Sequence, residues 1–169
     1  LSPVDATKYI GGAGIVAAHA AALGANVKLI SVVGNDDMSK FSKDKLDEYK
    51  VDSSLLNDES RPTTLKQRFK IQNKTMLRVS HLHTHSISLE LQDNIYKLLS
   101  KKLKNYDLLV FSDFNYGCLP QQLVDKIISK AKEFNVMMIA DSQSSSQLGD
   151  VSRFKDMYLI TCTEHEARV

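Results

Sequence analysis

The residues best suited to chemistry in this chain are glycines and carboxylates that recur in short clusters: Gly11, Gly12 and Gly14; Asn35 to Asp37; Asp113 to Gly117; Asp141 to Ser146; and Thr161 to Glu166. Glycines entering a helix let a ligand come close to the backbone, where free N–H groups favour an anion. Carboxylates in the other clusters suit a hard cation, or a hydroxyl that must lose its proton. Polar, glycine-containing loops are ordinary at any strand-to-helix turn. The argument for a site is the conjunction, because each cluster follows an extended run, and open α/β sheets gather their ligands at the carboxyl ends of strands.

The first cluster admits two chemistries. Gly12-x-Gly14-x-x-Ala17 fits the fingerprint in which glycines hold a dinucleotide pyrophosphate at a helix N-terminus, so a dinucleotide-binding oxidoreductase is one alternative. That fingerprint needs a long buried strand before it and an acidic residue closing the next strand. Here the preceding run, Lys8 to Ile10, is short, and the next strand closes on Gly34-Asn35. The same glycines would equally admit a sugar hydroxyl or a phosphate. His81-x-His83-x-His85 would place its imidazoles on one face of an extended segment, a spacing that could hold zinc or nickel. A solvated loop is the plainer expectation, since no carboxylate or cysteine lies close in sequence to complete the ligand set. Cys162 falls among the candidate site residues and is read as packing, since a thiol reacts only where its surroundings favour the thiolate.

The elements that must position these groups alternate between strand and helix. Lys8 to Ile10 reads as extended, Ala13 to Leu23 as an alanine-rich helix, and Gly24 as the residue that ends it. Val27 to Val33 is a β-branched apolar run, the pattern of a buried strand. A helix capped by Asn35, Asp36 or Asp37 follows to about Tyr49. Residues 62–80 read as a hairpin: TTLKQRFKI and TMLRV alternate polar and apolar positions around Gln72-Asn73-Lys74. Ser88 to Leu103 reads as a helix with Leu89, Ile95, Leu98, Leu99 and Leu103 toward one face. Then come a strand at Leu108 to Ser112, a helix from Pro120 to Phe134, strands at Val136 to Ala140 and Tyr158 to Thr161, and a helix starting near Glu164. Ser142 to Ser146 reads as a polar loop. The alternation predicts a parallel sheet covered by helices, with the hairpin as an outlying flap.

Composition narrows the classes. At 169 residues with 43% hydrophobic content, the chain can bury one substantial core. Its formal charge of +2, without a basic tail, calls for neither nucleic acid nor an anionic membrane surface. No apolar run approaches the ~20 residues of a spanning helix. Two cysteines without a CxxC spacing, and no signal-like segment, favour a reducing, cytoplasmic setting.

The segment IGGAGIVAAHAAALGANVKLISVVGNDD resembles the glycine-glycine segment of the ribokinase, or PfkB, carbohydrate kinases. The likeness runs through Pro62-Thr63-Thr64-x-Lys66-x-Arg68, Leu77-Arg78, Val110-Phe111-Ser112-Asp113-Phe114 with Gly117, Ile139-Ala140-Asp141 and Thr161-x-Thr163-x-x-Glu166. Within the family it looks most like the heptose-phosphate kinase branch, whose kinase domain occurs alone or fused to an adenylyltransferase. The resemblance implies a ribokinase-like three-layer α/β/α domain with a mostly parallel sheet and a small β-lid, the lid being the 62–80 hairpin. It implies ATP and Mg²⁺ as cofactors and a sugar or sugar phosphate as substrate, with the lid a candidate surface for a homodimer. By position, Gly11 and Gly12 would line the sugar pocket, and Lys66, Arg68 and Arg78 would meet sugar hydroxyls or a phosphate that the sugar already carries. Asp113 would face the substrate. Asp141, Thr163 and Glu166 would lie around the nucleotide, with Glu166 near Mg²⁺ through water; otherwise Glu166 is a first-turn glutamate favoured by the helix dipole.

Departures from the family pattern are as informative. Ile15 stands where an asparagine commonly touches sugar, Thr163 replaces the asparagine of Asn-x-x-Glu, and Tyr116 and Gln143 stand where the heptose branch carries lysines. The Gly-Ala-Gly-Asp motif, whose aspartate is the family's catalytic base, does not occur in the sequence. The chain therefore reads as the middle part of a family domain, with the initial strand expected before Leu1, and as inactive by itself. The alternative reading is a degenerate kinase fold kept for binding without turnover.

Overall fold

The computed structural model describes residues 5–72, 74–143 and 149–168. Helix α1 (Gly12–Ala22) is built largely of alanine and ends as expected. The N–H of Gly24 reaches the Ala21 carbonyl and that of Ala25 the Ala20 carbonyl, both at 3.0 Å, with Gly24 at φ 97. Strand β1 (Lys28–Val33) leads into α2 (Asp37–Glu48), whose N-cap is Asp36, accepting from the Ser39 N–H at 2.9 Å. Strand β2 (Asp52–Asn57) follows. No element is expected there from sequence, because DSSLLN carries only two apolar residues; it forms by parallel pairing along β1, Lys28 to Val33 opposite Asp52 to Asn57.

The hairpin is present as β3 (Leu65–Ile71) and β4 (Lys74–His81), antiparallel, with a bulge between Phe69 and Lys70. Its turn includes Asn73, which lies outside the described residues. Helix α3 (Leu89–Lys102) is capped by Ser88 and continues as a 3-10 turn over Leu103–Asn105. Strand β5 (Leu108–Asp113), helix α4 (Gln121–Glu133) with Pro120 at its N-cap, strand β6 (Met137–Ser142), strand β7 (Leu159–Thr161) and helix α5 (Glu164–Arg168) complete the chain.

The architecture is the expected α/β one, helices packed on parallel strands with an antiparallel hairpin set apart. On one face of β1–β2, Leu29 and Leu55 meet Ala17, Leu46 and Val51, which belong to α1, α2 and the turn after α2. On the other face, Ile30, Val32 and Leu56 join the main core of Ile95, Leu103, Phe111, Val124, Ile127 and Ala131, supplied by α3, β5 and α4. Val124 and Ala131 are completely buried, so α4 is the most enclosed helix stripe. Truncating a fully buried leucine there, such as Leu123, would remove about 2–5 kcal/mol.

The parallel strands do not form the single sheet expected from their alternation. They make two ladders, β1–β2 and β5–β6–β7. Among the described residues no strand pairs with the second edge of β1 or of β5, and both strands line a cleft of about 2270 Å³. Three further expectations are corrected. Lys8 to Ile10 is irregular and pairs with neither open strand edge. Leu89 and Leu98 point away from the core, 70% and 40% exposed, because α3 turns Ile95 and Leu91 inward instead. Ser142 is the buried last residue of β6, not part of a loop, and Ser144 to Ser146 lie outside the described residues.

Candidate functional site

The lid enters and leaves the body over two glycines. At the first stem, a side chain on Gly34 would sit 2.6 Å from the Arg61 carbonyl and 2.6 Å from the Thr63 nitrogen. The Gly34 N–H donates to Thr63 Oγ1 at 3.0 Å, and the Thr63 N–H donates to Asp36 Oδ2 at 2.8 Å. At the second stem, a Cβ on Gly117, which has φ +76, would lie 2.0 Å from the His85 carbonyl oxygen. Arg61 ties the stems together. Its Nε pairs with Asp58 Oδ2 at 2.7 Å, Nη2 donates to the His85 carbonyl at 2.7 Å, and Nη1 donates to the Tyr116 carbonyl at 2.9 Å.

Beyond these stems the lid reaches back over the glycine end of α1. Lys66 holds its Nζ 5.2 Å from the Tyr116 ring centroid and 5.9 Å from that of Phe114, a cation over two stacked aromatic faces. The Phe114 ring in turn lies 3.5 Å from where a Gly12 Cβ would be, and Gly12 has φ +55. Glycine at 12 is thus favoured by its backbone angle, while the ring beside it lies at ordinary contact distance. Gly12, Lys66, Phe114 and Tyr116 converge on one wall, with Gly11 exposed at its edge as the α1 N-cap. In the hairpin register Lys66 faces Ser80 and Arg68 faces Arg78, which places Lys66, Arg68 and Arg78 on one side of the lid.

Asp113 is not an open substrate ligand. It is 3% exposed, its Oδ2 pairs with Arg153 Nη1 at 2.8 Å, and its Oδ1 accepts from the Asn115 N–H at 3.0 Å. Alternation along β5 explains this, since Phe111 and Asp113 share the inward face. Burial pushes the Asp113 carboxyl above the usual carboxylate range, although the Asn115 N–H and Arg153 oppose that shift. Arg153 also donates to the Leu119 carbonyl and to Gln121 Oε1, so it binds the β5–α4 connection to the segment before β7.

At the far strands, Asp141 accepts from Thr161 Oγ1 and from Gln143 Nε2, each at 2.8 Å. Thr163 and Glu166 form a reciprocal cap on α5: Glu166 Oε2 accepts from the Thr163 N–H at 2.7 Å and from its hydroxyl at 2.8 Å, while the Glu166 N–H reaches Thr163 Oγ1 at 3.3 Å. Glu166 is 6% exposed. The three histidines do not converge on one point. His81 bonds Gln67, while His83 and His85 turn to Ser60 with their ring centroids 5.5 Å apart, and among the described residues no three His, Cys, Asp or Glu are placed to hold a metal ion. Cys162 is exposed and not packed, because it follows the short edge strand β7. Cys118 is the enclosed thiol, and burial pushes its pKa up to about 11.

The family model for pfkB family carbohydrate kinases matches residues 3–169. The chain belongs to that family. Among curated relatives, the Bifunctional protein HldE of Campylobacter jejuni subsp. doylei is 31% identical over 160 residues, covering 95% of this chain and 32% of its own length. That of Helicobacter hepaticus is 32% identical over 166 residues, covering 98% and 34% respectively. The pfkB-family chain thus spans about a third of these relatives. Among solved structures, a carbohydrate kinase from Agrobacterium tumefaciens superposes with a TM-score of 0.69 over 99% of this chain and 56% of its own, at 16% identity. The 2-dehydro-3-deoxygluconokinase of Thermotoga maritima gives 0.64 over 82% and 43%, at 15% identity. These structures share the fold.

For this pfkB-family chain, the structure brings Gly11, Gly12 and Lys66 to one wall, keeps Arg68 and Arg78 farther along the same side of the lid, and withdraws Asp113. Sequence reading missed Arg61, Asp58 and Arg153. Asp58 and Arg61 carry a faint signal, an acid three residues before an arginine at the mouth of the hairpin. Arg153 carries none, because its partner lies 40 residues earlier.

Proposed function

We propose that the intact protein is an ATP-dependent carbohydrate kinase that transfers the γ-phosphoryl group to a sugar or sugar-phosphate hydroxyl, with a heptose phosphate as the leading acceptor. The observation that carries this reading is the meeting of the α1 glycine end with a cationic lid, at Gly12, Phe114, Tyr116 and Lys66, in a chain of this family. Gly11 and Gly12 leave backbone open to sugar hydroxyls, the aromatic faces offer an apolar wall for the ring, and Lys66, Arg68 and Arg78 supply charge for a phosphate. The resemblance to HldE proteins supports the heptose guess.

Asp141, Thr163 and Glu166 belong to the nucleotide end in this reading. Mg²⁺ takes oxygen ligands and usually keeps waters, needing one or two carboxylates plus substrate phosphates. Asp141 and Glu166 are donors of that type, yet both already accept hydrogen bonds. They suit a hydrated ion held chiefly by the phosphates of ATP, whose charge it would neutralise. These residues alone, lacking a Gly-Ala-Gly-Asp turn, are proposed not to turn over. The lid's exposed Phe69, Ile71, Met76 and Leu77 favour a homodimer formed through it, in the cytoplasm. No helix among the described residues is long and apolar enough to cross a membrane.

A coupled ADP-release assay on the intact protein, against heptose phosphates, fructose phosphates, ribose and nucleosides, tests the reading; absence of turnover with all of them overturns it. The engagement of both Asp141 and Glu166 in protein hydrogen bonds favours a second reading, a kinase fold kept for binding. Saturable ligand binding without turnover in the intact protein selects that one.

A further inference from the structure

We infer that Arg61 is the positioning residue of the lid, a fork that holds both stems of the hairpin and the aromatic wall in one register. Its three contacts reach three separate stretches of chain: Asp58 just past β2, His85 on the return stem, and Tyr116 in the loop after β5. The guanidinium and the Asp58 carboxylate are each only 8% exposed. A pair so enclosed cannot exchange freely with water, and each contact is a charge-assisted hydrogen bond. The Asp58 carboxylate is itself fixed by Ser60, whose N–H and hydroxyl both donate to Oδ1, at 2.9 and 2.6 Å.

Tyr116 gives this arrangement its bearing on the site. Arg61 grips the Tyr116 backbone carbonyl, while the Tyr116 ring lies under Lys66 of the lid. The separation between lid and wall is therefore set at its base by one planar fork. Lysine cannot reproduce it, because an ammonium is a point charge on a flexible stem and does not span three acceptors held in fixed directions. The two glycine seats, Gly34 and Gly117, let the stems come close enough for a single guanidinium to reach both. Arg61 touches no reacting group in this scheme; it acts through Tyr116 and the lid.

The kinetic part of the test rests on the sugar-kinase reading, and the structural part does not. In the intact protein, Arg61→Lys is expected to keep the ion pair to Asp58 and a near-normal Tm, while trypsin cuts within Lys66 to Arg78 about tenfold faster, as local opening of the lid becomes easier. The KM for the sugar substrate should rise about tenfold with the KM for ATP within about twofold, since only the lid side is misplaced. Arg61→Ala should exaggerate both effects if it folds. Unchanged lid cleavage in folded Arg61→Lys protein, faster cleavage spread evenly over the chain, or equal losses for sugar and ATP would each overturn the assignment. If the protein proves to have no kinase turnover, the cleavage pattern alone decides, so failure of the functional reading is separable from failure of this one.

Discussion

Arg153 reaches across 40 residues of sequence to donate to Asp113 at 2.8 Å, and the pair is almost wholly enclosed, with side chains 15% and 3% exposed. Removing one member of a buried pair leaves the other uncompensated, at about 3–5 kcal/mol. Arg153→Ala should therefore destabilise the protein by about that much at neutral pH. Because the Asp113 pKa is raised in the fold, the native state holds its proton more tightly than the unfolded chain, and stability falls as pH rises through that window. The loss in Arg153→Ala should accordingly shrink on acidification, because Asp113 takes up its proton more readily than an ordinary carboxylate. Urea denaturation at pH 7.5 and 4.5 checks this; an equal loss at both would mean that Arg153 contributes packing and not charge.

Arg68 and Arg78 face one another directly across the lid ladder, and like charges so placed repel. Arg78→Ala should raise the stability of ligand-free protein by a few tenths of a kcal/mol, an effect that added salt removes. It should also weaken binding of a phosphorylated sugar by about 1.5–3 kcal/mol and leave ATP affinity nearly alone. Titration calorimetry with phosphorylated and plain forms of one sugar makes the comparison. Equal weakening for both forms would make Arg78 structural.

Asp58 runs opposite to Asp113. Burial raises its pKa, but hydrogen bonds from Ser60 and Arg61 together outweigh that and hold the carboxyl below its usual value. Its stabilising contribution is therefore complete above about pH 4 and is lost as pH falls through the depressed native value. Asp58→Asn should weaken the protein at pH 7 by about 1–3 kcal/mol, with the difference from wild type narrowing below about pH 4. Thermal melts across that range would show it, and a difference that persists undiminished in acid would contradict it.

Gly24 and Gly117 make a matched pair for separating backbone strain from close packing. Both have positive φ, but nothing lies within 4 Å of a Cβ on Gly24, whereas one on Gly117 would strike the His85 carbonyl at 2.0 Å. Gly24→Ala should lose about 1–2 kcal/mol from the left-handed angle alone. Gly117→Ala should lose at least about 1–3 kcal/mol more by forcing the second lid stem away. Comparable denaturation midpoints for the two variants would refute the seat.

What could be read in the sequence was whatever repeats locally. Alanine content marks α1, a β-branched run marks β1, an apolar run marks β5, and alternation marks the hairpin, so the helix-and-strand frame and the hairpin were legible together. Strand β2 was not, since Ser53 and Ser54 interrupt any apolar pattern and only its pairing with β1 makes it a strand. Asp113 reads from sequence as facing the substrate, but its direction depends on which face of β5 turns inward and on Arg153, and the fold encloses it. Glu166 also reads from sequence as a first-turn glutamate, and its reciprocal cap with Thr163 is that local role. Arg61 sits beside the Pro62-Thr63-Thr64 run, but its partners His85 and Tyr116 come from segments whose nearness no local pattern announces.

The closeness of the two lid stems, one guanidinium apart, has a consequence for how this domain can change. A segment whose ends already meet is topologically an appendix: it can be shortened, lengthened or exchanged without asking the strands beneath it to move, because closing the gap it leaves takes almost no chain. Residues 62–84 are in that sense a cartridge plugged into the sheet at Arg61 and His85. Replacing them with a short glycine-containing turn should leave the body's core intact. Variation among proteins built this way can then be concentrated in the cartridge while the strands beneath it stay as they are.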